Sequence, residues 1–187
     1  MPNGHGVETP LTRIATAQAS LALALRFNSE VNAGRIERSI YEREVEVFTG
    51  GPGIRIPAEP GASAEDLKNG TFNFVILALG ASALITDETL VEVFGELAKD
   101  LEPSRRGLRV MVSQLRNAFA HNPWRAKWSI WMKYRAVHSV QLGDSTLLFD
   151  ATDLDGRGVR PEDVGGLEGW LKVLKHCEQL VAHVVYE

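Results

Sequence analysis

Leu108-Arg109-Val110-Met111-Val112-Ser113-Gln114-Leu115-Arg116-Asn117-Ala118-Phe119-Ala120-His121 is the stretch whose periodicity decides the fold class. Advancing about 100° per residue from Leu108 brings Val112, Leu115 and Phe119 within about 40° of it. That is the single apolar stripe of an amphipathic helix. Arg109, Ser113, Arg116, Asn117 and His121 fall on the opposite side. Ser104 opens the helix, and His121-Asn122-Pro123 ends it, because a proline disfavours helical backbone in the residue before it.

A helix with one apolar seam needs partners, and the flanking sequence supplies them. Thr9-Pro10 is a cap followed by a first-turn proline. Leu11, Ile14, Gln18, Leu21 and Leu25 then repeat at helical spacing, predicting a helix to about Asn32 that Ala33-Gly34 breaks. Residues 35–44 read as a further charged helix, with Ile36 and Ile40 one turn apart. Residues 49–53 and 57–61 are Gly/Pro punctuation around a short extended piece, 54–56. A short helix is expected from Ser63, an apolar one over 72–84, and another capped by Asp87 that runs through Val91, Phe94 and Leu97 to Pro103. Gly143-Asp144 is the turn of a hairpin over about residues 134–150. A last helix from about Leu167 carries Trp170, Leu171, Leu174, Cys177 and Val181 on one face. The expectation is a mainly α, compact helical bundle spanning 1–187 as one domain, with residues 1–8 a loose terminus and the hairpin an insertion before the last helix.

Composition bounds the function. The chain has 187 residues, 44% of them hydrophobic and 24% charged, which excludes wholesale disorder. Residues 1–8 lack the basic start and apolar run of a secretory signal. The apolar stretch 72–85, interrupted by Gly80 and Ser82, reads as too short to cross a bilayer. A cytoplasmic protein without a membrane partner is therefore expected. Cys177, the one cysteine, excludes an internal disulfide and a cysteine-rich metal site, and reads as core.

The net charge of −4 conceals a segregation. Residues 103–143 hold no Asp or Glu but eight basic residues, leaving the remainder with 12 basic and 24 acidic side chains. Trp124, Trp128, Trp131 and Tyr134 are interleaved with these cations. Rings among positive charges suit a phosphate backbone and unstacked bases; rings in the core under a solvated charged face remain the alternative.

The polar side of the helix adds chemistry. Asn117 and His121, four residues apart, stack on one face, and Arg116 can swing its long side chain toward them. Histidine exchanges protons near neutral pH, guanidinium forks phosphate oxygens, and the amide of Asn117 can hold the imidazole ring or the substrate. These are parts for metal-independent cleavage of RNA by attack of a 2′-hydroxyl on the adjacent phosphate. One imidazole is half of an acid–base pair; a second copy from a homodimer partner would supply the other half.

Arg116-Asn117-x-x-x-His121 resembles the R-polar-x-x-x-H signature of HEPN domains, helical proteins common in bacterial toxin–antitoxin and defence systems. The resemblance implies a helical bundle that dimerises with the two motifs facing each other. It also implies a ribonuclease in which Arg116 and His121 are catalytic and Asn117 supportive. Arg109, Ser113, Trp124, Arg125 and Lys127 are then expected to contact RNA, and an antitoxin-like protein is an expected partner. The alternative is a non-catalytic module of the same kind, binding a protein, a nucleotide or RNA. The hairpin stands outside the pattern.

No cofactor or metal is expected. Residues 49–53 lack the lysine and spacing of a phosphate loop. Residues 151–162 imitate a calcium loop, but Ala151 occupies its first position and a strand precedes it. His138, His176 and His183 have no carboxylate at ligand spacing, and His5 falls in the loose terminus.

Overall fold

The computed structural model describes residues 9–48 and 52–186. The expected loose terminus with His5, and residues 49–51 of the glycine-rich loop, lie outside them. The described chain is mainly helical, in the order α1 (Pro10–Asn32), β1 (Val45–Val47), β2 (Ile54–Ile56), α2 (Ala64–Phe94), α3 (Pro103–His121), β3 (Val137–Leu142), β4 (Ser145–Asp150) and α4 (Gly166–Tyr186). Single 3₁₀ turns at Arg38–Glu42, Leu97–Lys99, Met132–Tyr134 and Pro161–Val164 connect them. The strands form two separate antiparallel pairs.

Helix starts follow local chemistry. The Thr9 hydroxyl accepts from the backbone N–H of Thr12 at 3.2 Å, ahead of Pro10. At α2 the caps are reciprocal: Ser63 Oγ accepts from the Asp66 N–H, and the Asp66 carboxylate accepts from the Ser63 N–H. Glu102 caps α3 by accepting from the Ser104 N–H.

Two expectations fail. Residues 35–44 are not a helix: only Arg38–Glu42 winds, as 3₁₀, and the chain enters β1 at Val45. The three helices expected between Ser63 and Pro103 are one 31-residue helix followed by the short 3₁₀ turn. Gly80 does not break α2. A Cβ there would come 2.4 Å from the Phe119 ring, so this glycine admits α3 rather than ending α2. By length and composition α2 would also suffice to cross a membrane, although half of its most apolar window is buried within the chain.

The chain divides into two compact units, one of residues up to Leu21 with those from Ile76 onward, the other Ala22–Val75. In the first, the stripe read from sequence is core: Leu108, Val112, Leu115 and Phe119 are buried. α3 lies directly on β3, where a Cβ on Gly107 would meet the Ser139 carbonyl oxygen at 2.0 Å. The β3–β4 register runs from Val137↔Asp150 to Leu142↔Ser145 around Gly143, whose φ of +63° the turn requires. α4 buries Trp170, Val173, Leu174, Cys177 and Val181, and the Trp170 indole N–H donates to Ser82 Oγ of α2 at 2.9 Å. Full burial pushes the Cys177 thiol up to about 12, consistent with an inert core residue.

The second unit has a smaller core of Ala24, Val31, Leu67, Thr71 and Val75. Thr71 donates to Asn28 Oδ1 at 3.1 Å across it. Its β1–β2 pair aligns Val45 with Ile56 and Val47 with Ile54, all of them exposed.

Candidate functional site

α3 carries two arginines seven residues apart, and the fold treats them oppositely. Arg109 is 2% exposed. Its guanidinium donates to Asp100 Oδ2 at 2.6 Å and to the carbonyl of Gly95. Arg105 grips the same carboxylate with two bonds of 2.8 Å while lying over the Phe94 ring. Arg105, Arg109 and the Glu102 backbone N–H together hold the Asp100 carboxyl well below the usual carboxylate range. The expectation that Arg109 contacts RNA is therefore overturned: its charge is consumed inside the protein. Ser113 is half-buried.

At the other end of the helix the bonding is loose. The Arg116 side chain is 37% exposed, its Nε 3.8 Å from Asp87 Oδ2 of α2. Its Nη1 donates to Asn117 Oδ1 at 3.1 Å, so the amide braces the guanidinium. Arg116 Nε finds no hydrogen-bond partner among the described residues. Asp87 is mostly buried, and desolvation raises its carboxyl above the usual range despite the opposing pull of Arg116 and Arg109. Sequence reading had made Asp87 a helix cap. Its place beside Arg116 had no local signal, because it depends on how α2 lies against α3.

Arg116 stands at the rim of a groove of about 430 Å³ between α2 and α3. Leu77, Gly80, Ala81 and Leu84 line one wall, and Phe119, Ala120 and Pro123 the other. His121 is the last residue of α3 and is exposed. Asn117 and His121 thus share a helical face at an open end, with Arg116 held beside Asn117.

The segment after α3 is ordered by Asn122, whose side-chain oxygen accepts from the N–H groups of Trp124 and Arg125, both at 3.1 Å. Trp124, Arg125 and Lys127 are exposed, as their expected role requires. The interleaved rings divide: Trp128 and Tyr134 are core, Trp124 and Trp131 surface. Trp128 donates from its indole to Asp163 at 2.8 Å. Asp155 accepts from the Ile130 N–H and pairs with Arg135. Asp155 of the calcium-like loop is thereby engaged in internal bonds, as is Asp163 just beyond it. His138 makes a 2.9 Å bond with the Tyr134 carbonyl and stacks on Phe149.

Comparison with protein-family models, with characterised proteins and with solved structures gives no match to this chain.

Proposed function

We propose that the chain is a metal-independent endoribonuclease of the HEPN type, with Arg116 and His121 as its reacting groups and Asn117 as the brace. The observation that carries this reading is the loose end of α3. Arg116, bonded to Asn117 and 3.8 Å from Asp87, lines the groove with its side chain partly exposed, and the exposed His121 ends the same helix. Elsewhere on the same helix Arg109 is buried against Asp100; here the guanidinium is partly exposed and able to take a phosphate oxygen.

Chemically, the 2′-hydroxyl loses its proton and attacks the neighbouring phosphorus, and the bond to the departing 5′-oxygen breaks as that oxygen takes a proton. The products are a 2′,3′-cyclic phosphate and a free 5′-hydroxyl. Arg116 offsets the charge gathering on the phosphate oxygens, and His121 carries one of the two proton transfers. A single imidazole leaves one transfer unassigned. A homodimer in which the groove walls of two copies meet would bring a second His121 to it, and Gly80, Ala81 and Ala120 keep those walls low enough for close approach. A toxin or defence effector is the biological setting that such an activity suits.

The test is incubation of purified protein with RNA in EDTA. Cyclic phosphate ends should form, His121→Ala should lower cleavage by about 10²–10⁴-fold, and a 2′-deoxy substitution at the cut site should block it. Intact RNA with wild-type protein would sink the reading. The apolar lining of the groove favours one second reading, a non-catalytic module whose groove receives a protein partner such as an antitoxin. In that case His121→Ala would weaken assembly while RNA stays whole with both proteins.

A further inference from the structure

Of the eight cations in the acid-free segment, the fold removes several from service: Arg105 and Arg109 bind Asp100, Arg116 faces Asp87, and Arg135 pairs with Asp155. Arg125, Lys127 and Lys133 are exposed and form no ion pair among the described residues. All three lie in the strip just past His121, and two tryptophans surface in the same strip.

Burial along the strip alternates. Trp128 and Ile130 point into the core, while Lys127, Ser129 and Trp131 face outward. The backbone is tied to a second segment, with the Trp128 N–H donating to the Arg157 carbonyl at 2.8 Å and the Val159 N–H to the Ala126 carbonyl at 3.0 Å. Over residues 126–131 the extended chain, anchored by alternate buried residues, holds Lys127, Ser129 and Trp131 outward, with Trp124 and Arg125 on the turn before it and Lys133 on the 3₁₀ turn after it. Trp124 and Trp131 are 61% and 60% exposed, so both rings are open to a stacking partner. Lys133 Nζ sits 5.1 Å from the Trp131 ring centre, so ring and cation are presented together.

We propose that residues 124–133 are a docking strip for single-stranded RNA. Bases stack on Trp124 and Trp131, and phosphates are met by Arg125, Lys127 and Lys133. The choice of RNA rests on the reading of Arg116 and His121 as an RNA-cutting pair; the choice of a single strand rests on the strip itself. Exposed flat rings reward unpaired bases, which a duplex keeps stacked within its own helix. Charge agrees, because residues 103–143 carry eight basic and no acidic side chains while the remainder carries 12 basic against 24 acidic ones. Trp131 and Lys133 are the additions to the RNA contacts legible from sequence, and Arg109 is the removal. Asn122 sets the polarity of the arrangement: by fixing the N–H groups of Trp124 and Arg125, it seats the first ring and cation within a turn of His121.

The experiment uses the full chain carrying His121→Ala, in EDTA, and reads fluorescence anisotropy of a labelled oligouridylate, a blunt RNA duplex of equal length, and polyglutamate. The single strand should bind best, with a logarithmic salt slope near about −2 for three phosphate contacts. Trp124→Ala and Trp131→Ala should each weaken it about tenfold. Arg125→Ala, Lys127→Ala and Lys133→Ala should each flatten the slope by about 0.7. These rings and charges are exposed, so an unchanged thermal midpoint confirms that each variant folds. Equal affinity for the duplex, preference for polyglutamate, or binding indifferent to both tryptophans overturns the proposal. Ring-dependent binding by a wild-type protein that never cuts RNA supports the strip while sinking the catalytic reading. Undiminished cutting and binding by the doubly substituted Trp124→Ala/Trp131→Ala protein sinks the strip alone.

Discussion

The first half of α3 and its last turn use the same residue types to opposite ends. Near the start, Asp100 is fully enclosed and bonded by Arg105, Arg109 and a backbone N–H, and its carboxyl is held far down. Near the finish, Asp87 sits close to Arg116 without a hydrogen bond to it, and burial pushes its carboxyl up. One arrangement satisfies every charge. The other leaves a mostly buried carboxylate 3.8 Å from a guanidinium that is partly exposed at a groove. Polar groups left under-bonded at an open groove are what a site awaiting a ligand looks like.

The largest way to break the contrast is Asp100→Ala. Removing the acid strands Arg109 in the interior, and loss of one partner of a buried pair costs about 3–5 kcal/mol. Denaturant unfolding at neutral pH should show it. The pH dependence has a definite sign. A carboxyl lowered on folding contributes stability that is present above its unfolded value and lost as pH falls through its folded one. Wild-type protein should therefore weaken on strong acidification, and Asp100→Ala should lack that component. A variant as stable as wild type would mean that the cluster does not hold the start of α3.

A smaller loss is expected at Gly107→Ala, two residues before Arg109. The added methyl would meet the Ser139 carbonyl at 2.0 Å, which is backbone and cannot rotate away. Overpacking of this kind costs about 1–3 kcal/mol. Helix propensity alone would predict a gain of up to about 1 kcal/mol at a helical glycine. The sign of the change in urea midpoint thus separates tertiary fit from local preference.

The same distinction explains what could be read from sequence. α3, its apolar stripe and the hairpin turn at Gly143 were legible because amphipathic period and turn chemistry are local. α2 was misdivided because Asp87 carries a local capping signal that packing overrides, while Gly80, inside the expected 72–84 helix, is set by its neighbour. Gly80 admits the Phe119 ring, and the interior hydroxyls of Ser82 and Thr89 bond back to the carbonyls of Leu79 and Ile85. For the site, Arg116, Asn117 and His121 were visible as a helical face. The fate of each arginine was not, since Arg109 finds Asp100 just before the acid-free block begins and Arg116 finds Asp87 on another helix. Half of the interleaved rings, Trp128 and Tyr134, proved to be core, with Trp128 anchored there by its bond to Asp163.

The smallest expected effect on stability is the most telling for function. Asp87→Asn removes a carboxylate that burial disfavours and that makes no hydrogen bond among the described residues, so the variant should be as stable as wild type or better, within about 1 kcal/mol. Charges around the position are Arg116 and Arg109, which favour the ionised form, and Glu88, which opposes it. A carboxyl raised on folding contributes stability that is present at low pH and lost as pH rises through its folded value. The advantage of Asp87→Asn should accordingly be absent in acid and grow toward neutral pH, the reverse of the Asp100 behaviour. Cleavage of RNA should move the other way: without the carboxylate Arg116 loses its second brace, turnover falls, and Asp87→Glu restores part of it. Should Asp87→Asn destabilise the fold and leave cleavage untouched, the two ends of α3 would both be structural, and the loosely held arginine would lose its claim to a site.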